Sequence, residues 1–242
     1  MIKKESRQFN ISVEGINCEK MYFEHLAKLI NNSDATYNLK VDPRKMTPMQ
    51  YAKRNAHRPV EKRKDNKKLP YIHVQDIEDY NSEFHRKKFY GMIDEMRDAE
   101  DEFRITYELG YSNYTFELWM LLHVADMNHA VLDRKAYLAP INRWFHRDFA
   151  DLDEFKREAA FQEILDEFVT LDSIRQAIRR AEKIVEQNGK DGKASEKYRG
   201  FAFPLYERYM EICGRSDEVE EIKRECAEQY QRELREEQER DV

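Results

Sequence analysis

The stretch Phe9-Asn10-Ile11-Ser12-Val13-Glu14-Gly15 alternates apolar and polar residues and then breaks at Glu14-Gly15. That is the period of a β-strand closed by a turn. Asn17 follows as a potential helix N-cap, and Met21, Phe23, Leu26, Leu29 and Ile30 recur at helical spacing behind it. A strand feeding a helix through a short turn opens a β-α unit, and the same alternation returns downstream. Tyr37-Asn38-Leu39-Lys40-Val41 predicts a second strand ending at Asp42-Pro43. Thr47-Pro48 pairs an N-cap residue with proline at the first helical position, so a helix should run to about His57. Leu69 to Val74 predicts a third strand. Ser82 predicts the start of a helix with Phe84, Phe89, Met92, Ile93 and Met96 on one side. Phe103-Arg104-Ile105-Thr106-Tyr107 predicts a fourth strand closed by Gly110, and a helix through Phe116, Leu118, Trp119, Leu121 and Leu122 follows.

Four β-α repeats imply an α/β fold with a mostly parallel four-stranded sheet flanked by helices. Beyond about Asp126 the strand signals vanish. Helices are predicted over Asp151 to Phe168, Asp172 to Gln187 (stopped by Asn188-Gly189) and Ser216 to about Arg240. The chain therefore divides into an α/β domain over residues 1–125 and a C-terminal helical extension over 126–242.

Composition narrows the class. Of 242 residues, 37% are charged, well above the roughly 25% of an average domain, yet 12% are aromatic, which argues against wholesale disorder. No apolar run approaches the roughly 18 residues of a membrane-spanning helix, and the N-terminus lacks the apolar centre of a signal peptide. Cys18, Cys213 and Cys226 are an odd set without metal-like spacing. A cytoplasmic protein without a membrane partner is expected. The net charge of −6 hides a segregation: from Arg44 to Lys68 ten Lys and Arg face two acids, an excess of +8. This segment predicts a polyanion contact, with Arg63, Lys64, Lys67 and Lys68 as the candidates; a solvated loop is the plainer alternative.

The acids carry the chemistry. Glu14 follows the first strand, Asp76, Glu78 and Asp79 follow the third, and Glu117 begins the helix after the fourth. Ligands of an open parallel sheet bind at the carboxyl ends of its strands, where these groups should converge. Carboxylates brought together repel unless a cation neutralises them, and hard oxygen donors suit Mg²⁺ or Mn²⁺. Capping of the following helices is the alternative role for each acid taken singly. His123, Trp119 and Phe116 are expected in the core, and Lys193 and Lys197 on a solvated loop.

Val13-Glu14-Gly15-Ile16-Asn17-Cys18-Glu19-Lys20-Met21-Tyr22-Phe23 resembles the opening motif V-E-G-x-x-T-E-x-x-Y-F of the RloB family, a Toprim-like group. Ser112-Asn113-Tyr114-Thr115-Phe116-Glu117-Leu118-Trp119-Met120-Leu121-Leu122-His123 resembles its second signature, S-N-P-x-F-E-x-W-L-L-L-H, and Val74-Gln75-Asp76-Ile77-Glu78 stands where the family has D-x-D. The resemblance spans about residues 7–125. It implies a Toprim catalytic fold in which Glu14, Asp76 and Glu78 bind Mg²⁺ for phosphodiester chemistry, with Glu117 as a fourth catalytic acid. It also implies a role in bacterial anti-phage defence beside an ABC-type ATPase. Three positions depart from the pattern: Glu78 replaces the second Asp, Cys18 replaces Thr and Tyr114 replaces Pro. A metal-dependent nuclease acting on RNA (such as tRNA) or DNA is the leading expectation. A non-catalytic interaction subunit of an ATPase-containing complex is the alternative, and phosphoryl transfer to a small nucleotide a third. With only 7 Gly, the last lacks a glycine-rich phosphate loop.

Overall fold

A computed structural model describes residues 5–15, 17–33, 35, 37–56, 71–78, 82–112, 115–127, 134–190 and 224. Its sheet is parallel throughout, in the order β2 (Tyr37–Val41), β1 (Glu5–Val13), β4 (Tyr71–Asp76), β5 (Tyr107–Ser112). A two-residue strand, β3 (Arg44–Lys45), takes over from β2 against the end of β1. The interruption falls at Asp42-Pro43, where proline has no N–H for a ladder. The expected α/β architecture is therefore present, with α1 (Cys18–Asn31), α2 (Pro48–Ala56), α3 (Glu83–Phe103) and α4 (Phe116–Leu122) as its helices.

The two faces of the sheet bury separate cores. Phe9, Ile11, Val13, Ile72 and Val74 pack with α1, α4 and the later helices; Tyr71, Tyr107 and Leu109 pack with α2 and α3. Successive residues of β4 point to opposite faces, so Tyr71-Ile72-His73-Val74-Gln75 is buried throughout. The polar members of that run are satisfied with Ser12 of β1: Ser12 Oγ lies 2.8 Å from His73 Nδ1, and His73 Nε2 lies 3.3 Å from Gln75 Oε1. Burial lowers His73 to about 4, so it is neutral at physiological pH.

Several element boundaries differ from the sequence expectations. The fourth strand begins at Tyr107, because α3 runs on through Phe103 and ends with Arg104 in the left-handed conformation. Gly110 lies inside that strand, paired with Val74. The helix expected over Asp151 to Phe168 is two: α6 (Leu152–Phe155) and α7 (Glu158–Phe168), separated at Lys156 and Arg157, the latter extended. A helix with no clear periodic signal, α5 (Leu138–Trp144), follows a 3₁₀ turn over Arg134–Tyr137. α8 (Leu171–Lys190) starts one residue early and passes through Asn188-Gly189. Thr170 is its cap: its Oγ1 accepts from Ser173 N at 3.1 Å. The helix expected from Ser216, the loop holding Lys193 and Lys197, and the basic residues Arg63, Lys64, Lys67 and Lys68 lie outside the described residues. Among the described residues no helix is long and apolar enough to cross a membrane.

One hydrophobic cluster joins the two halves of the chain. It contains Tyr22, Phe23, Phe116 and Trp119 from the first and Tyr137, Phe145, Phe155, Phe161, Ile164 and Ile178 from the second. His123 belongs to it: its Nε2 lies 3.2 Å from the Tyr22 hydroxyl and its Nδ1 2.9 Å from the Trp119 carbonyl, and burial lowers it to about 4. The expected core histidine is a core histidine.

Candidate active site

β1 and β4 are neighbours in register, Val13 beside Val74, so both strands deliver their carboxyl ends to the same place. Glu14 consolidates that junction. Its N–H donates to the Val74 carbonyl at 3.0 Å, and its Oε2 accepts from the Asp76 N–H at 3.2 Å. Its role is thus across the strands, not capping of the following helix. Its Oε1 accepts a hydrogen bond from the Lys88 ammonium of α3.

Asp76 ends β4 with like charges around it. Its carboxyl is held well above the usual carboxylate range, first by burial and then by the charges of Glu19, Glu117 and Glu14; Lys156 opposes the shift. The side chain keeps a partial opening to solvent. Crowding by three acids nevertheless makes its charge unfavourable. Glu19, on the first turn of α1, is pushed upward in the same way, by burial first. Its carboxylate passes directly over Gly15, where a Cβ would collide with it.

Glu117 sits on the first turn of α4 and is completely buried. The Lys156 ammonium lies 2.6 Å from its Oε1 and the Arg134 guanidinium 3.9 Å away. Neither of its oxygens has an aligned hydrogen bond. Burial pushes Glu117 up, but the attraction of Lys156 outweighs it, and the carboxyl lies below its usual range. Cys18 is at the same edge; burial pushes its thiol up to about 12, which leaves it no thiolate for nucleophilic chemistry.

Glu78 stands slightly apart. Its backbone is left-handed, with φ 57°, an unusual conformation for a residue other than glycine or asparagine. Its Oε2 lies 2.5 Å from His85 Nδ1 and 4.0 Å from Lys88 Nζ, both on α3. Lys88 therefore bridges Glu14 and Glu78. At the strand ends the charges of Glu14 and Glu117 act on Asp76, and Lys88 links Glu14 to Glu78.

Five further residues enter the site without having been singled out by sequence. Glu19 was visible inside the opening motif. His85 and Lys88 lie at i and i+3 on the first turns of α3. Arg134 and Lys156 come from the helical half and carry no local signal. Among the described residues no three carboxylate, imidazole or thiol groups stand in a metal-holding arrangement; ammonium groups occupy the neighbouring space instead.

Neither the curated proteins nor the solved structures yield a match to this chain. The family model described as RloB-like protein matches residues 9–201, which takes in the sheet, the acids and Lys156 alike. The chain belongs to the RloB-like family.

Proposed function

We propose that the protein is a Mg²⁺- or Mn²⁺-dependent nuclease that cleaves phosphodiester bonds in RNA or DNA. The observation that carries this reading is Asp76, a carboxylate at the carboxyl end of a parallel sheet that burial first, and then the charges of Glu19, Glu117 and Glu14, hold well above its usual range. A folded chain retains such a group at a cost, and functional sites are where that cost recurs. The donor set fits a hard divalent cation: every candidate ligand is a carboxylate oxygen, and positive charge is short around Asp76 and Glu19. Glu14 and Asp76 would hold the ion, with Glu78 steered by His85. When bound, such an ion would polarise a phosphate oxygen and lower the pKa of a water so that it gives up a proton and attacks phosphorus as hydroxide. Glu14 keeps the two strand ends together, and the basic residues between Arg44 and Lys68 supply phosphate contacts.

The cellular setting we propose with it is anti-phage defence in the cytoplasm, under control of an ABC-type ATPase; the motif resemblance supports this reading. A second reading, a non-catalytic partner of that ATPase, has its own support, since Lys88 and Lys156 already neutralise two of the acids. The two separate on one experiment. Purified protein incubated with end-labelled RNA and DNA should cut at least one of them with Mg²⁺ or Mn²⁺ and stop with EDTA. Glu14→Ala should abolish cleavage while the fold, followed by circular dichroism, persists. No cleavage under any metal condition, alone or with the ATPase, would favour the non-catalytic partner.

A further inference from the structure

We propose that Lys156 is a built-in cation of the acid cluster, standing in for a second divalent ion, so that the site takes a single metal ion. The inference rests on the metal-dependent reading above.

The first support is placement. Lys156 occupies the break between α6 and α7, and the preceding Phe155 is fully buried among Phe145, Phe149 and Phe161. Core packing therefore sets where the lysine backbone stands. The ammonium then meets Glu117, itself fully buried between Phe116 and Trp119 in sequence. An ion pair with one partner locked in the core is a fixed charge, unlike the mobile pairs of a surface. Arg134, half-exposed and 3.9 Å from Glu117, is a looser second partner.

The second support is the distribution of charge. Lys156 and Arg134 stand against Glu117, whereas among the described residues no ammonium or guanidinium forms an ion pair with Asp76 or Glu19. The shortage of positive charge therefore lies on the Glu19 and Asp76 side, since Glu14 already has Lys88. A divalent ion at Glu117 would have to displace Lys156 and leave its ammonium beside a like charge. The Lys156 side chain is also 28% exposed, so an ammonium with three donors can hold Glu117 and still face a substrate phosphate.

The test is isothermal titration of the full chain with Mn²⁺, paired with thermal unfolding with and without Mn²⁺. Wild type and Lys156→Arg should each bind one ion. Lys156→Met should bind two, melt lower without metal and gain more from Mn²⁺ than wild type does. A purely structural lysine would lower melting by the same amount in both conditions. Two ions in the wild type, or one ion in Lys156→Met at whatever affinity, would overturn the proposal. If Lys156→Met does not fold, the double variant Glu117→Gln/Lys156→Met removes both charges and should bind one ion; two would overturn it. Absence of Mn²⁺ binding by all of these proteins removes the metal reading and this inference with it. An unchanged stoichiometry in Lys156→Met beside a metal-binding wild type removes only this inference.

Discussion

At the scale of single residues, Asp76 is the most telling. Burial first, and then the charges of Glu19, Glu117 and Glu14, raise its carboxyl well above the usual range, so at neutral pH its charge opposes folding. Because the folded value lies above the unfolded one, the native state binds the proton more readily. The penalty is full above the folded value and disappears as the pH falls below the unfolded one. Asp76→Asn should therefore raise the melting temperature at pH 7.5 by about 2–4 °C and lose that advantage toward pH 3. Differential scanning calorimetry across that range checks it; a lower melting temperature at pH 7.5 would mean that Asp76 is stabilised by a partner. Gln75, one residue before it, has its side chain occupied by His73 within the core. Neighbours on one strand thus divide between packing and chemistry according to which way they point.

Among the elements, the edge strand β2 depends on a side chain from α1. The Asn31 Nδ2 donates to the Leu39 carbonyl at 2.9 Å, and the Leu39 N–H donates to Asn31 Oδ1 at 2.6 Å. One amide thereby satisfies both outward backbone groups of Leu39, a place where another strand would otherwise pair. Asn31→Ala removes two hydrogen bonds and opens the edge. The expected loss is about 1–2 kcal/mol, read as a lower urea midpoint, together with concentration-dependent association in light scattering. An unchanged midpoint would show that water replaces the amide at no cost. α3 plays a different part, since its first turns carry both His85 and Lys88 to the acids while its later turns, Phe89, Met92, Ile93 and Met96, fill the second core.

For the molecule as a whole, the shared hydrophobic cluster and Lys156 tie the helical half to the sheet. A fragment of residues 1–125 would expose the faces of Phe116, Trp119 and Leu122 that Phe161, Ile164 and Ile178 cover. It should lack a cooperative thermal transition and bind a hydrophobic dye, whereas residues 1–190 should melt cooperatively. A cooperative 1–125 fragment would make the helical half a true appendage. The basic segment makes its own whole-molecule prediction through its +8 excess. Charge reversal at Arg63, Lys64, Lys67 and Lys68 should weaken nucleic-acid binding and flatten its log–log salt dependence by about 3 units if each meets a phosphate. An unchanged slope would identify the segment as solvent-facing. Manganese binding should persist in that variant, because Glu14 and Asp76 belong to the strand ends.

The parallel sheet, its flanking helices and the acids Glu14, Asp76 and Glu117 were legible in the sequence. Alternation, helical periodicity and turn chemistry act within a few residues, and in a parallel sheet the carboxyl ends of neighbouring strands necessarily meet. Boundaries were less legible where two local patterns overlapped. The Phe103 to Tyr107 run alternates like a strand, yet α3 holds Phe103 and leaves the ladder to begin at Tyr107. α5 went unseen because its burial comes from partners distant in sequence. Only the tertiary structure decided that Glu19, Lys88 and Lys156 join the site, that Glu78 turns toward His85, and which acids lack a counter-charge. Those outcomes depend on distances between side chains far apart along the chain and on burial, which sets how strongly charges act on one another. Neither quantity is written in any local pattern of residues.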